Sequence, residues 1–484
     1  MNGNIIRLAS LTLALVNCCA GADLVVDASK VVGTFRPLHG VNNGPLDGGG
    51  TIDLSDAYRE AGIPLVRLHD VHWPNADVVD MHVVFPDPAA DPSRPESYNF
   101  ARTDEYLKAI AATGAKIVYR LGESIEHTKT KYHVHPPVDP DRWAAACAGI
   151  IRHCNEGWAG GLHLDIRDWE IWNEPENRPA MWTGTDDAYF RLYAATARAI
   201  RARFPDLRVG GPAVGDVGRV RDGHFEPSAF VTRFLDVCRR ESLPLDFFAW
   251  HQYPSSPRLL GELARGVRAE LDGHGFTRTL SYLDEWNYLP DGDWSSVLGG
   301  QGRKRQRFYE RQGGAEGAAF IACALLGLQD SPVDQACFYA GDTNLFGLFN
   351  VYGTPKKTYG TFRAFHGLLD APIRLEATGG NPDTLAVAAG TDAERTGMVV
   401  LVGDSRSNED TIHLAIRNAP WHGPVRIEAQ RIDAEHDLDP VAITPDGPIR
   451  WVFSSRGPAV TLIRLQQDTG AGAVRAEVRL RAGL

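Results

Sequence analysis

Apolar positions between residues 38 and 370 follow two rhythms that alternate along the chain. Short runs rich in aliphatic and aromatic residues are PLHGVN, PLVRLHD, KIVYRLG, DWEIWNE, RVGGPAV, FFAWHQY, RTLSYLDEW and DQACFYAGD. Between them lie longer stretches such as DEYLKAIAAT, DRWAAACAGIIRHC, DDAYFRLYAATARAIRARF, PSAFVTRFLDVCRR and GAEGAAFIACALLGL, whose apolar positions fall three and four residues apart. The first rhythm predicts strands and the second predicts helices. Eight strand-helix units predict an α/β fold, a (β/α)8 TIM barrel over 38–370, because parallel strands need helical crossovers that cover the sheet.

From residue 371 the pattern changes to short alternating runs, among them TLAVAAGTD, MVVLVGD, TIHLAIR, PVRIEAQ, IRWVFSS, VTLIRLQ and VRAEVRL, separated by Gly, Pro, Asp and Asn. These predict an accessory antiparallel β-sandwich domain over 371–484. DLVVDASKVV, within 23–37, predicts an N-terminal β segment that joins the sandwich. Residues 1–22 read as a signal peptide, with Arg7 before an apolar run that ends in Ala20-Gly21-Ala22. A secreted or periplasmic protein is expected; Cys18 and Cys19 raise a lipoprotein alternative, which Asn17 fits poorly. No later run reaches the roughly 18 apolar residues of a membrane span.

Composition narrows the partners. The chain has 484 residues and a formal net charge of −11, and its one basic cluster, around Arg303, Lys304, Arg305 and Arg307, reads as a solvated helix face. A polyanion such as nucleic acid is therefore not an expected partner. Five cysteines lie outside the leader, without CxxC spacing, which gives neither a disulfide framework nor a zinc site.

Candidate chemistry gathers where barrel strands end, since barrel active sites form at that face. DWEIWNEPE holds three carboxylates. Glu174 closes the strand before Pro175, Glu170 falls inside it and needs a buried partner, and Glu176 falls on a loop where it is expected to be solvated. LSYLDEW supplies a second carboxylate at the end of the seventh run, Glu285, beside Asp284; alternation along a strand allows only one of the two to face the axis. Two carboxylates across one pocket are what glycoside hydrolysis needs, one to protonate the leaving oxygen and one to attack or to activate water.

WEIWNEPE, with Asn173-Glu174-Pro175 closing the fourth strand, and Glu285 closing the seventh, resemble the retaining glycosidases of clan A. LHGVNNGP, VRLHD, YNFARTDEYL and AWHQYP narrow the resemblance to glycoside hydrolase family 39, the family of β-xylosidases and α-L-iduronidases, across residues 24–370. The resemblance implies Glu174 as acid/base, Glu285 as nucleophile, and Asn173 as ligand of the sugar 2-hydroxyl. It further implies that Arg67 orients the nucleophile and holds it ionised, that Tyr253 hydrogen-bonds the same carboxylate, and that His69 and His251 contact the sugar. Trp286 and Trp172 offer rings to a pyranose, Trp172 equally to the core. Burial and the charge of Glu285 are expected to lift Glu174 toward the working pH.

Three stretches depart from the family pattern: HDVHWPNADVVDMHVVFPD, the His-rich LGESIEHTKTKYHVHPP, and CFYAGD, with Tyr339 where a tryptophan is usual. Glu123, His127, His133 and His135 become candidate substrate contacts, and Lys129 and Lys131 candidate cations for a uronic acid. The function expected is that of a secreted retaining exo-glycosidase, a β-xylosidase acting on plant cell-wall oligosaccharides, without cofactor or metal. α-L-Iduronidase, β-galactosidase or arabinopyranosidase activity is the alternative within the family. Two rivals come from other classes. A metal hydrolase would use His69, His72, His133 and His135, against which their spacing argues; a carbohydrate-binding protein without turnover would lack one carboxylate.

Overall fold

The computed structural model describes residues 22–467 except 73–76, 300, 382, 407, 408, 422, 423 and 448. Eight parallel strands close into a barrel: β1 (Gly40–Asn42), β2 (Leu65–Leu68), β3 (Lys116–Leu121), β4 (Asp168–Ile171), β5 (Arg208–Val214), β6 (Phe247–Gln252), β7 (Leu280–Trp286) and β8 (Gln335–Phe338). Each pairs with its neighbours in sequence, and β8 closes on β1 through Cys337 opposite Gly40 and Phe338 opposite Val41. All eight strand-like runs contain one of these strands.

Because side chains alternate along a strand, inward positions recur every second residue and stack in layers. In the lower layer Leu65, Val118, Ala213, Phe247, Ala249, Tyr282 and Cys337 pack together, and Asp168 of β4 accepts from the Tyr282 hydroxyl at 3.1 Å. Two residues further along β2, β3, β4 and β7 stand Arg67, Arg120, Glu170 and Asp284, all buried, so the barrel turns polar just below its mouth.

The helices obey the expected end rules. Pro140–Glu156 starts after Asp139, whose carboxylate accepts from the Asp141 and Arg142 amides, and stops at Gly157, where φ is +73°. The cap is worth about 1 kcal/mol, and glycine carries the left-handed turn without a Cβ clash. The buried face of this helix includes Ala144, Cys147, Ile150, Ile151 and Cys154. Arg303–Gly313 carries its basic residues on an exposed face. The five cysteines are free and buried.

Among the described residues nine C-terminal strands and Ala22–Thr34 form one ten-stranded sheet, which includes Ile373–Thr378 and Asp437–Pro440, strands too mixed in polarity to stand out in the sequence. Ala22–Thr34 lies inside this sheet, antiparallel to Ile373–Thr378 and parallel to Glu409–Arg417. That parallel pair departs from the wholly antiparallel expectation; a strand arriving from the other end of the chain is not bound to hairpin geometry. The run MVVLV is apolar throughout because the sheet is covered on both faces: Met398, Val400 and Val402 join the core of the sheet domain, whereas Val399 and Leu401 join the barrel core. Gly403 lets the strand approach Ala315–Leu328 closely, since a Cβ there would lie 2.9 Å from that of Ala322. Residues 1–21 of the leader and VRAEVRL lie outside the described residues, while Ala22 opens the first strand of the sheet. Among the described residues no helix is long and apolar enough to cross a membrane.

Candidate active site

Arg67 is the hub on which the site is built. It projects inward from β2 with no exposed surface, and such a charge is stable only when fully paired. Its Nη2 donates to Glu170 Oε1 at 2.6 Å and to Asn173 Oδ1 at 2.6 Å. Its Nη1 donates to Asn42 Oδ1 at 3.1 Å and to Glu285 Oε2 at 3.1 Å. Glu170 is thus the buried partner of Arg67, and one guanidinium fixes side chains from β1, β4 and β7 together.

Glu285 takes its second hydrogen bond from Tyr253, whose hydroxyl donates to Oε1 at 2.6 Å. Asp284 does not turn outward as alternation predicts. The pairing of β6 with β7 skips it, Trp250 lying opposite Leu283 and His251 opposite Glu285, so this bulge turns both carboxyls inward. Asp284 Oδ2 lies 3.3 Å from Arg67 Nε. Burial, then the charge of Glu170, hold Asp284 protonated, far above the usual carboxylate range.

Glu174 follows β4 on a backbone bent by positive φ at Trp172 (+72°) and at Glu174 itself (+43°). The amides of Trp172 and Glu174 donate to Leu121 and Ala213 carbonyls on the flanking strands, and these bonds hold a conformation that non-glycine residues seldom adopt. Glu174 Oε1 accepts from His251 Nδ1 at 2.8 Å, and Oε2 accepts from Asn177 Nδ2 at 2.9 Å. Burial pushes its pKa up, but the hydrogen bonds and the charge of His251 outweigh burial and hold the carboxyl below its ordinary range. His251 moves the opposite way, raised by Glu285 and Glu174 against its own burial. The expected upward shift of Glu174 is thus corrected: its carboxyl is held low and the His251 imidazole high.

Glu174, His251 and Glu285 each offer an atom within 4.8 Å of the others. Oxygens this near each other fit the closer of the two carboxyl spacings, that of direct attack on the sugar.

Glu176 is not solvated. Its Oε1 accepts from the amides of Gly215 and Asp216, at 2.6 and 3.0 Å, and Oε2 is buried without a partner. A Cβ on Gly215 would lie 2.6 Å from Glu174 Oε1 and 3.3 Å from Glu176 Oε1, so both carboxyls crowd one glycine. Burial, then the charge of Glu174, push Glu176 up to about 7.

Other candidates separate. His69 is buried, its Nε2 3.2 Å from Asp70 Oδ1, and its Nδ1 has no protein partner. Tyr339 donates to Asp70 Oδ2 at 3.2 Å, and burial pushes Asp70 up to about 7. Trp286 is corrected: no surface is exposed, and its ring packs edge-on against Phe338, so it offers no stacking face. Trp172 belongs to the core, edge-on to Trp182. Glu123 is held by His82, its Oε2 pairing with His82 Nδ1 at 2.6 Å and its Oε1 taking the His82 amide. His133 stacks on His82 at 3.7 Å, His135 bonds Thr183, and His127 is exposed. Lys131 donates to the carbonyls of Glu126 and Thr128, and Lys129 is exposed. His69, His72, His133 and His135 do not assemble into a donor cluster among the described residues.

The model for glycosyl hydrolases family 39 matches residues 30–262. Over that segment the chain is similar to the family. A β-xylosidase of Caldicellulosiruptor saccharolyticus is 26% identical over 366 residues, 69% of this chain and 68% of that protein. A β-xylosidase of Geobacillus stearothermophilus is 27% identical over 266 residues, 50% of this chain and 49% of that one. Among solved structures, a glucosidase from Croceicoccus marinus superposes with a TM-score of 0.75 at 27% identity, over 93% of this chain and 99% of that one. The enzyme is a retaining glycoside hydrolase, built as a TIM barrel with a β-sandwich.

Proposed function

We propose that the enzyme is an exported β-xylosidase that removes single residues from plant-wall oligosaccharides, with Glu285 as nucleophile and Glu174 as acid/base. The observation that carries the assignment is the close approach of these two carboxyls around His251, with Arg67 and Tyr253 fixing the oxygens of Glu285. Two β-xylosidases among its relatives support the sugar, and the Arg7 to Ala22 leader pattern supports export.

In the first step a Glu285 oxygen attacks the anomeric carbon while Glu174 protonates the departing oxygen. Asn173, its carbonyl held by Arg67, has an amide nitrogen to offer the 2-hydroxyl, a contact that tightens as the ring gains positive charge. Esterification then removes the charge of Glu285, which lowers the proton affinity of Glu174 and turns it into the base that activates water.

The sugar is read by a nitrophenyl glycoside panel. A uronide brings a carboxylate that needs a cation, yet Arg67 is already bonded to four side chains and Lys131 to its own loop. The β-xyloside is expected to give the highest kcat/KM, ahead of glucoside, galactoside, arabinopyranoside and uronide. The Croceicoccus marinus likeness favours glucoside as the second reading; a glucoside or uronide in first place overturns xyloside.

Glu176 tunes the acid. When Glu176 ionises, its charge favours the protonated form of Glu174 and so extends activity to higher pH. Glu176→Gln removes that charge, and the basic limb of the kcat/KM profile is expected to move to lower pH with the acidic limb little changed. An unmoved basic limb would show that the two carboxyls do not communicate.

A further inference from the structure

We propose that Trp294, backed by Phe346, is the platform on which the enzyme holds the apolar face of the leaving group in the first step and of the acceptor in the second. The proposal rests on Glu285 being the nucleophile of a pocket that holds one sugar. Of the nine large apolar side chains left exposed among the described residues, seven lie on loops that follow β3, β7 or β8, on the barrel face that carries Glu174 and Glu285. Trp294 is the one tryptophan among them, 38% exposed, whereas Trp169, Trp172, Trp182, Trp250 and Trp286 are buried.

Its position relative to the nucleophile is fixed by a chain of contacts. Tyr253 bonds Glu285 Oε1, Trp294 meets the Tyr253 ring edge-on at 5.0 Å, and Phe346 closes the group at 6.0 Å from Tyr253 and 6.1 Å from Trp294. Exposure rises along this path, from the buried carboxylate through Tyr253 to Trp294, which places Trp294 outward of the reacting bond. In a one-sugar pocket the group projecting outward is the aglycone, and an aromatic face binds the C–H face of a sugar or an aryl ring.

The loop is held in place as a platform requires. The Asp293 carboxylate takes the Ser295 amide and hydroxyl, Lys304 donates to the Ser295 hydroxyl, and Arg311 pairs with Asp291 at 2.6 Å. The amides of Val297 and Leu298 return to the Trp294 carbonyl.

The test uses the second step. An alcohol oxygen attacks the anomeric carbon of the Glu285 ester, Glu174 takes the alcohol proton, the ester bond breaks, and Glu285 leaves as a carboxylate. With nitrophenyl xyloside as donor and methanol and benzyl alcohol present together, both products arise from the same ester. Their ratio is therefore independent of donor binding and of the fraction of folded enzyme. Trp294→Ala is expected to lower the benzyl-to-methyl product ratio about tenfold, the scale of one aromatic contact plus the apolar area it covers. Trp294→Phe should retain much of it. A ratio unchanged by Trp294→Ala, even with slower donor turnover, would mean that Trp294 only steadies Tyr253, and would overturn the platform. If the wild type turns its donor over but forms neither alkyl glycoside, no acceptor is held there and the platform falls, whereas inversion of the anomeric carbon would overturn the nucleophile reading on which it rests.

Discussion

A dinitrophenyl 2-deoxy-2-fluoro-xyloside is expected to inactivate the enzyme with a stoichiometric burst of dinitrophenol and to leave its sugar esterified to Glu285. The fluorine withdraws electrons from a transition state that carries positive charge, so it slows both steps; the activated leaving group rescues only the first. The intermediate then accumulates. Geometry directs the label to Glu285 rather than to the other buried carboxyls. Glu170 is clamped beneath by Arg67, and Asp284 is held as a neutral acid, a poor nucleophile. Glu285→Gln should lower kcat/KM by on the order of 10⁴-fold or more, the scale on which enzymes lose a member of a catalytic group. Peptide mapping that places the sugar on another residue, or an NMR time course that shows inversion of the anomeric carbon, defeats the assignment.

The sequence made the scaffold readable because a barrel writes itself in two periodicities. Each strand-like run closed by a chemically distinctive residue locates one point on the rim. The rim positions of Glu174 and Glu285 were legible for that reason, as was the need of Glu170 for a buried cation. What could not be read depends on backbone from elsewhere. Glu176 follows a proline and looks like loop, yet the Gly215 and Asp216 amides after β5 draw it in beside Glu174. Asp284 escapes the alternation rule through a one-residue bulge that no composition signals. Trp286 is the opposite case: with Glu285 facing the axis, alternation alone turns Trp286 outward beneath the helical layer, a signal already present in the strand pattern. The His-rich loop misled by its composition, since His82, from the preceding loop, takes Glu123 and stacks on His133.

Glu174→Ala is expected to separate the two steps by their need for a proton. Glycosides with poor leaving groups, such as methyl xyloside or xylobiose, should lose roughly 10²–10⁴-fold in kcat/KM, the range assigned to general acid catalysis. Dinitrophenyl xyloside needs no proton to depart, so its first step should be nearly unaffected. Its steady-state turnover should still fall, because the residue that protonates the leaving oxygen also deprotonates the incoming water. A small anion that needs no base relieves that block: azide should restore turnover and yield a β-xylosyl azide. Retention in that product is the decisive feature, since it requires azide to enter from the Glu174 face after Glu285 has taken the other. Removing Glu174 also frees His251, which loses its 2.8 Å carboxylate partner. The elevated imidazole pKa should then fall, and NMR titration of its ring protons gives an independent reading of the pair. Glu170→Gln and Glu176→Gln serve as controls, expected to show neither leaving-group dependence nor azide rescue. Glu170→Gln should also lower the melting temperature, because it leaves the buried Arg67 without its closest counter-charge. Azide rescue of either control, together with its failure in Glu174→Ala, would move the acid/base role off Glu174.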